Sequence, residues 1–515
     1  MNQTGLVNRA ILSVVLALTM PLVSQAARPV ARWDVVPDQI FQGVFKAGVC
    51  AFHSSGVKVE FRIGDKLIYT ALEPTLNDQS GVWEFWCPVD AQSFPDGAVT
   101  LTARAIPLGA GHSSYDLPAL TLYANAGGTL SVKQVTWVDA QNGNDANAGT
   151  EQAPCQTLAK AVRMTPAGGT IYLKPGIYSA AALKGGSNRP YWTTIACAPG
   201  VGRDQVEIGA GRPGTQRLRF KDVTLFCDIQ KGYGAILAGE NGKHWVWLEN
   251  CKCYNKKGRW AGSTVTFGNG YGAFITGGVT TEMRNGPGGS LIRDHVLHKI
   301  CSDAWTGCGL VVNSSCIDLD RGRTEAHPDF HQSHAVPPNW VENVILYNVR
   351  GYDCVSQGLF GLRLRNSAFV NVVIEKVNTV MRSQYSGPME NVLFLHLNIV
   401  DQVWNWRGDF TPTDVQVING IFSSMGLHQL TGSTNGLTLH HNHFVNAKQP
   451  MGSDVTMGPP LYLDPSNNDY SIQSNSPAWG TGYYLQCVPA DIDGTPYPGN
   501  GRNRGCYAKP DARKL

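Results

Sequence analysis

The sequence predicts an all-β chain in which a small β-sandwich precedes a long parallel β-solenoid, and three observations support this. Charged residues make up only 16% of the 515 residues, while glycine reaches 57, a composition typical of turn-rich β-proteins. Apolar and polar residues alternate over residues 57–63 and 82–86, as in strands with one buried face. Beyond residue 133, apolar stretches recur at 22 to 23 residues, which is the length of one solenoid coil.

The first 26 residues are predicted to be an export signal. Arg9 supplies a basic start, residues 10–23 are mostly apolar, and Ser24-Gln25-Ala26 precedes a cut at Ala27. The apolar stretch is short for a membrane anchor and no second span follows, so we expect a secreted or periplasmic protein. The 42 basic and 39 acidic residues leave a net charge of +3, which gives no general attraction to nucleic acid. We expect a monomer.

Residues 27–126 are predicted to form the sandwich. Short strands and turn signals such as Pro95-Asp96-Gly97 resemble an immunoglobulin-like module of secreted enzymes. Export permits disulfides. We therefore expect Cys50–Cys87 within the sandwich and Cys487–Cys506 across a C-terminal loop, whereas the cysteine spacing does not suggest a zinc site.

A Gly-rich boundary at residues 124–128 leads into a distinctive order of motifs. Val138-Asp139-Ala140-Gln141-Asn142-Gly143-Asn144-Asp145 is followed by Pro154-Cys155-Gln156-Thr157-Leu158 and then by Pro175-Gly176-Ile177-Tyr178. This order resembles the entry segment of secreted right-handed parallel β-helix proteins of the pectate-lyase-like superfamily, and the resemblance covers residues 133–515. A short helix with Thr157 as N-cap, burying Leu158, Ala161 and Val162, is expected to cover the open end of the solenoid.

Repeat spacing supports the solenoid. Val223 to Val246 and Val392 to Val415 are both 23 residues, and Val415 to Leu437 is 22. The repeats lack the leucine spacing of leucine-rich repeats, and strands of a sandwich array would recur at roughly 8–12 residues. Asparagines that follow the strands favour tight turns and side-chain ladders, namely Asn250, Asn348, Asn419 and Asn442.

The densest candidate site is residues 318–334, which hold three histidines, four carboxylates and two arginines. In an extended segment His327, Asp329 and His331 share one face, and we expect that face to point outward into a groove. Elimination beside a uronate carboxylate needs a base and a cation. We predict His331 or His327 as the base, with His331 favoured because Pro328 restricts the backbone near His327. Asp329 orients the base or binds a metal, and Arg323 or Arg321 neutralises the substrate.

Further residues are predicted to bind substrate or metal. The predicted substrate-binding residues are Arg321, Gln332, His334, Arg363, Arg365, Arg382, Tyr385, Trp404 and Trp406. The Asp-His pair at Asp294 resembles a calcium-associated segment of pectate lyases. A calcium ion is therefore expected among Asp294, Asp303, Asp318 and Asp320.

The predicted function is cleavage of an acidic polysaccharide by β-elimination. Two alternatives remain open. One is a glycoside hydrolase that uses paired carboxylates drawn from Asp318, Asp320, Glu325 and Asp329. The other is a non-catalytic, carbohydrate-binding or adhesive β-helix. The polygalacturonase-like Gly-His-Gly pattern and the Asp-Pro-His motif of alginate epimerases are absent from the sequence.

Overall fold

A computed structural model describes most of the chain after residue 26. The described residues are 27–508 without 131–133, 182, 184–187, 212–216, 231–232, 238–244, 260–261, 265–271, 323–326, 334–337, 362, 378–380, 383–386, 409, 431–433 and 499–501. The predicted export signal lies outside them. They form an antiparallel sandwich followed by a right-handed parallel β-helix, which confirms the predicted fold class.

The sandwich consists of a four-stranded sheet, ordered β1-β3-β7-β6, and a six-stranded sheet, ordered β2-β10-β8-β4-β5 with β9 on β8. Val57, Val59 and Phe61 are buried while Lys58 and Glu60 between them are not, because successive strand residues face opposite sides. The immunoglobulin-like character of this domain remains a prediction. Its strands are Val30–Trp33 (β1), Ile40–Phe41 (β2), Val44–Phe52 (β3), Val57–Ile63 (β4), Lys66–Ala71 (β5), Thr75–Asn77 (β6), Val82–Asp90 (β7), Gly97–Pro107 (β8), Tyr115–Asp116 (β9) and Leu120–Ala124 (β10).

The capping helix is Leu158–Met164 (α1), as predicted. The Thr157 hydroxyl accepts a hydrogen bond from the Lys160 backbone N–H at 3.2 Å, which satisfies one of the unpaired donors of the first turn. Leu158, Ala161 and Val162 are buried in the same apolar core as the first parallel strands. The helix therefore covers the end of the solenoid.

The parallel sheet contains 27 strands that wind in successive coils. Its early strands are Val135–Val138 (β11), Thr170–Leu173 (β12), Gly176–Ser179 (β13), Thr193–Cys197 (β14), Val206–Gly209 (β15), Leu218–Lys221 (β16), Thr224–Cys227 (β17), Val246–Glu249 (β19), Lys252–Asn255 (β20), Ala273–Thr276 (β22), Val279–Met283 (β23), Gly289–Arg293 (β24), Val296–Ile300 (β25) and Trp305–Thr306 (β26). Tyr233–Ala235 (β18) and Gly262–Thr264 (β21) form a separate parallel pair. The later strands are Cys308–Asp320 (β27), His331–Ser333 (β28), Val341–Glu342 (β29), Ile345–Val355 (β30), Leu359–Gly361 (β31), Leu364–Glu375 (β32), Met381–Arg382 (β33), Gly387–Gly408 (β34), Phe410–Ile418 (β35), Ile421–Leu430 (β36), Leu437–His440 (β37), His443–Phe444 (β38) and Thr456–Met457 (β39). Tyr462–Asp464 (β40) and Asp469–Ile472 (β41) form an antiparallel pair after it.

Strand pairing divides each coil into three sides, each of which builds one stack of strands. The first stack runs through β12, β14, β16, β19, β22 and β24 into the first parts of β27, β30, β32 and β34, and then through β35 to β37. The second stack runs through β13, β17 and β25 into the later parts of those long strands and on to β36 and β38. The third stack contains β26, β28, β31, β33 and the end of β34.

An apolar ladder along the inside of the first stack holds the coils together. Phe369 and Phe394 are partners in adjacent coils, and their rings stack with centroids 5.1 Å apart. The ladder continues through the paired and buried residues Phe220, Leu248, Ile275, Ile292, Val311, Leu346, Val417 and Leu439.

The predicted repeat is confirmed in the later coils and wrong in one early coil. Val392 pairs with Val415, which pairs with Leu437, as the 23- and 22-residue spacings require. Val246, however, pairs with Leu218 rather than with Val223. The residues between β17 and β19 make that coil 28 residues long, so the apparent 23-residue repeat there is a coincidence.

The sandwich packs on the outward face of the first stack. Trp247, Phe274, Leu310 and Tyr347 belong to the same buried cluster as the sandwich core, and the Phe52 ring meets the Tyr347 ring edge-on at 5.1 Å. The C-terminal residues cover the second stack, where the Arg350 guanidinium donates to the Asp493 carboxylate at 2.7 Å. The third stack carries the candidate site described below.

The two predicted disulfides are wrong, and all 13 cysteines are buried thiols. Cys87 lies opposite Ala47, three residues along β3 from Cys50. That offset is about 10 Å of extended strand, beyond the reach of a disulfide. Cys487 donates to the His53 carbonyl at 3.4 Å and Cys506 to the His396 carbonyl at 2.7 Å, in two different apolar clusters.

Candidate functional site

Four polar residues meet where the chain turns from the second stack into the third. We call Asp303, His327, Asp329 and Gln332 the corner cluster. Asp303 immediately precedes the turn into β26, and Asp329 precedes β28 one coil later. The Ala304 N–H donates to the Asp329 carbonyl at 2.9 Å, which fixes the two aspartates in adjacent coils.

Asp329 is the centre of the cluster. Its side chain is completely buried, and its Oδ2 accepts from Gln332 Nε2 at 3.1 Å and lies 3.3 Å from His327 Nδ1. The His327 side chain, in contrast, is 61% exposed. A buried carboxylate behind an accessible imidazole is the arrangement that orients a histidine and fixes its tautomer.

Asp303 adds a second buried carboxyl group. Burial and the neighbouring Asp329 charge raise the pKa of Asp303 to about 7, although His327 and Arg284 act in the opposite direction. Its Oδ1 is buried and has no hydrogen-bond partner among the described residues. Near neutral pH this carboxyl group is therefore close to the point where it gains or loses its proton.

The predicted outward orientation of His331 is wrong. His331 is only 2% exposed and occupies the inward row of the third stack, paired with Trp305 and Leu359. Its ring meets Phe369 edge-on at 5.4 Å, and burial lowers its pKa to about 3. The predicted common face fails because β28 begins only at His331, so His327 and Asp329 belong to the preceding turn. An imidazole in this position is a core residue.

The predicted calcium ligands do not come together. Asp294 lies in the corner between the first and second stacks, whereas Asp303 lies in the next corner of the coil. Asp318 Oδ1 pairs with Arg259 Nη1 at 2.8 Å, and Asp320 accepts from the Gly322 N–H at 3.0 Å. Within the described ranges, one group of three or more His, Cys, Asp or Glu side chains has its ligand atoms within 4.8 Å of one another, namely Asp303, His327 and Asp329. Two carboxylates and an imidazole do not fit calcium, which prefers six to eight oxygen ligands.

Two of the predicted substrate arginines lie in another corner, at the entry to the first stack. Arg363 donates to the Asn339 carbonyl at 2.8 Å and Arg365 pairs with Glu342, while both guanidinium groups lie within 5 Å of the Trp340 ring centre. These contacts give them a structural role. Arg321 is exposed near the end of β27. Arg323, His334, Tyr385 and Glu325 lie outside the described residues.

Backbone register continues the row of Gln332 along the third stack. Gln332 pairs with Phe360, Phe360 with Arg382, and Arg382 with Arg407. Adjacent coils are about 4.8 Å apart, so the two arginine positions lie roughly 10 and 14 Å from Gln332 along the helix axis. Trp406 pairs with Met381 and Trp404 with Met425, and sugar stacking by these two tryptophans remains a prediction.

Arg284 is a site residue that the sequence analysis missed. Its charge acts on Asp303, and its carbonyl accepts from the Ser302 N–H at 2.8 Å, one coil before the cluster. No sequence signal marks it, because the corners at residues 285, 303 and 329 are separated by unequal numbers of residues.

Comparison with known proteins yields distant similarity. Residues 141–184 match a family described as a protein of unknown function (DUF1565), which covers too little of the chain to define it. No curated protein matches. Among solved structures, XylC in complex with xylose is 8% identical, covers 73% of this chain and 98% of its own, and has a TM-score of 0.38. Pectate lyase Pel9A is 12% identical with coverages of 74% and 98% and a TM-score of 0.33. A GH136 lacto-N-biosidase from Eubacterium ramulus is 10% identical, covers 63% of this chain and 68% of its own, and has a TM-score of 0.31. Likeness this low does not identify a reaction.

Membrane-spanning helices are not found in the described part of the chain, where no helix is both long and apolar enough.

Proposed function

We propose that the chain is a secreted enzyme that cleaves an acidic, uronate-containing polysaccharide by β-elimination, with His327 as the base. The observation that carries the proposal is the pairing of the exposed His327 imidazole with the buried Asp329 carboxylate at 3.3 Å. Substrate has to reach a base directly, and His327 is the accessible member of the corner cluster.

The geometry assigns a role to each member of the pair. If His327 Nδ1–H donates to Asp329 Oδ2, the neutral ring carries its lone pair on Nε2. Nε2 then takes the proton beside the uronate carboxylate, and the bond to the 4-linked oxygen breaks as the double bond forms. Gln332 holds Asp329 in place through its other contact with Oδ2.

Cationic groups near the cluster support an acidic substrate. The elimination places negative charge on the substrate carboxylate, and guanidinium groups stabilise such charge well. Arg284 acts electrostatically on the cluster, while Arg382 and Arg407 continue the register row of Gln332. A polymer lying along the third stack would meet all three positions.

The rival functions predict different products. Hydrolysis by paired carboxylates would have to use Asp303 and Asp329, yet both are more than nine-tenths buried, which favours the exposed imidazole instead. A binding module would form no product.

The test is a panel of uronate polysaccharides, assayed by ultraviolet absorbance for unsaturated ends and separately for reducing ends. Wild-type protein should generate both signals together on at least one substrate. His327→Ala should lower the rate by roughly 10² to 10⁴, the usual contribution of a general base, with an unchanged melting temperature.

His298→Ala is the matched control, because His298 lies in the second stack, partnered with Thr281 and Ile317. It should retain wild-type rates. Reducing ends without absorbance would show hydrolysis, and full activity of His327→Ala would refute the assignment of the base.

A further inference from the structure

The corner cluster brings three metal-ligand groups together without a cation. Ligand atoms of Asp303, His327 and Asp329 all lie within 4.8 Å of one another. The two aspartates are 7% and 0% exposed. Paired buried carboxyl groups are unfavourable unless a cation or hydrogen bonds compensate them.

A second observation points into the same space. Asp303 is more than nine-tenths buried, and its Oδ1 has no hydrogen-bond partner among the described residues. Buried polar atoms in native proteins are nearly always satisfied, so an unsatisfied carboxylate oxygen facing two other ligand groups indicates a missing partner. A cation would serve both carboxyl groups at once.

We propose that Asp303, His327 and Asp329 bind a divalent transition-metal cation, with Zn²⁺ as the representative ion, and that the bound cation switches off the base. The binding site stands on the cluster geometry alone, whereas the inhibition rests on the proposed function of His327.

The donor set selects the class of cation. Zn²⁺ accepts imidazole and carboxylate ligands, commonly three from the protein with a further position for water. Calcium needs more oxygen ligands than the cluster offers, and imidazole suits the first-row transition metals. The 3.3 Å between His327 Nδ1 and Asp329 Oδ2 is close to one edge of a tetrahedron with bonds of about 2.0–2.1 Å.

Inhibition follows from the tautomer of His327. Catalysis requires the lone pair on Nε2, with the proton on Nδ1 facing Asp329. A cation bound through Nδ1 forces the ring proton onto Nε2, which can then no longer accept a proton from the substrate. No covalent bond is made or broken, and removal of the cation restores the base.

Binding is tested by calorimetric titration of the full mature protein, first stripped with a chelator, with Zn²⁺ and separately with Ca²⁺. The expected result is one Zn²⁺ per chain and no saturable Ca²⁺ binding. Asp303→Asn and His327→Ala should each weaken Zn²⁺ binding by roughly tenfold or more. Asp320→Asn, outside the cluster, should bind Zn²⁺ like wild type, and circular dichroism confirms that each variant is folded.

Wild-type Zn²⁺ affinity in both cluster variants, or tighter binding of Ca²⁺ than of Zn²⁺, would overturn the site. Zn²⁺ should also suppress the absorbance assay in proportion to its occupancy, with recovery after chelation. Saturating Zn²⁺ that leaves cleavage unchanged would overturn the inhibition. Stoichiometric Zn²⁺ binding by a chain that cleaves nothing would support the site and contradict the proposed function instead.

Discussion

His331 packs like an aromatic core residue, and its removal should be costly. It is 2% exposed and contacts the Phe369 ring edge-on. Truncation of a large buried ring leaves a cavity, so His331→Ala should lower the free energy of unfolding by about 2–4 kcal/mol. Urea unfolding followed by tryptophan fluorescence measures this as a lower midpoint at an unchanged slope.

The exposed His327 supplies the comparison. His327→Ala should change the free energy of unfolding by less than about 1 kcal/mol, since a surface side chain leaves no cavity. If His331→Ala were as stable as wild type and yet inactive, His331 would be the base and the assignments of the two histidines would have to be exchanged.

The sequence could identify the residues of this site but not their directions. The clustering of His327, Asp329 and Gln332 within six residues was visible in the sequence, and the structure joins all three. The direction of His331 depends on where the three-residue strand β28 begins, which alternation over so short a segment does not determine. Asp303 joins the cluster through a neighbouring coil, so its partners were out of reach of local spacing.

Asparagine ladders at the coil corners stabilise the solenoid between strands. Asn371 Nδ2 donates to Asn348 Oδ1 at 2.9 Å and to the Ala490 carbonyl at 3.0 Å, and its φ is +49°. Asn371→Ala removes both hydrogen bonds and places a side chain that disfavours positive φ there. The free energy of unfolding should fall by about 3 kcal/mol in chemical denaturation.

Asn371→Gly separates the two contributions. Glycine adopts positive φ readily, so this variant loses the hydrogen bonds without the backbone strain. It should be more stable than Asn371→Ala by about 1 kcal/mol. Equal stabilities would show that the backbone conformation contributes little at this corner.

Coil length explains how far the sequence could predict the elements. Later coils keep a nearly constant length, so Val392, Val415 and Leu437 stack as their spacing predicts. The coil between Leu218 and Val246 carries extra residues in its turns, and turns tolerate insertions because they lie on the surface. The Asn348 corner was predicted, whereas its partner Asn371 becomes apparent only when the coils are stacked.

The C-terminal residues dock onto the second stack through a buried neutral histidine. His396 is fully buried, with Nδ1 2.9 Å from the Gly505 carbonyl and Nε2 3.0 Å from Asn419 Nδ2. Burial lowers its pKa to about 3 from an ordinary value of 6.5. The unfolded chain therefore binds this proton first, and stability from His396 is lost as the pH falls from about 6.5 towards 3.

His396→Gln should abolish that dependence. The variant is destabilised at pH 7, but its deficit against wild type should shrink by about 2 kcal/mol at pH 5, since each pKa unit corresponds to about 1.4 kcal/mol. Urea midpoints at the two pH values provide the measurement. Tyr497→Phe, which removes a hydroxyl group 3.4 Å from His396 Nδ1, should show the same deficit at both pH values. A deficit of His396→Gln that does not change with pH would contradict the neutral state.

Docking of the sandwich depends on a charge pair that no sequence spacing reveals. Arg293 in the first stack and Asp34 in the sandwich are 259 residues apart, and Arg293 Nη1 donates to Asp34 Oδ1 at 2.9 Å. Burial raises the pKa of Asp34 to about 6, while Arg293 acts to lower it. Glu84 lies near enough to raise it further. The arginine is therefore the cation that keeps a buried acidic interface folded at neutral pH.

Arg293→Met should destabilise the chain by about 3 kcal/mol at pH 7, because it leaves Asp34 buried without its cation. The loss should be larger at pH 8 than at pH 5. Without Arg293 the folded pKa of Asp34 rises further above that of the unfolded chain, so stability falls as the pH rises. Lys299→Met is the control, since Lys299 and Glu282 are 44% and 38% exposed and their ion pair should contribute less than about 1 kcal/mol. Urea denaturation at both pH values measures the difference, and equal losses in the two variants would show that the Asp34 contact does not hold the sandwich on the β-helix.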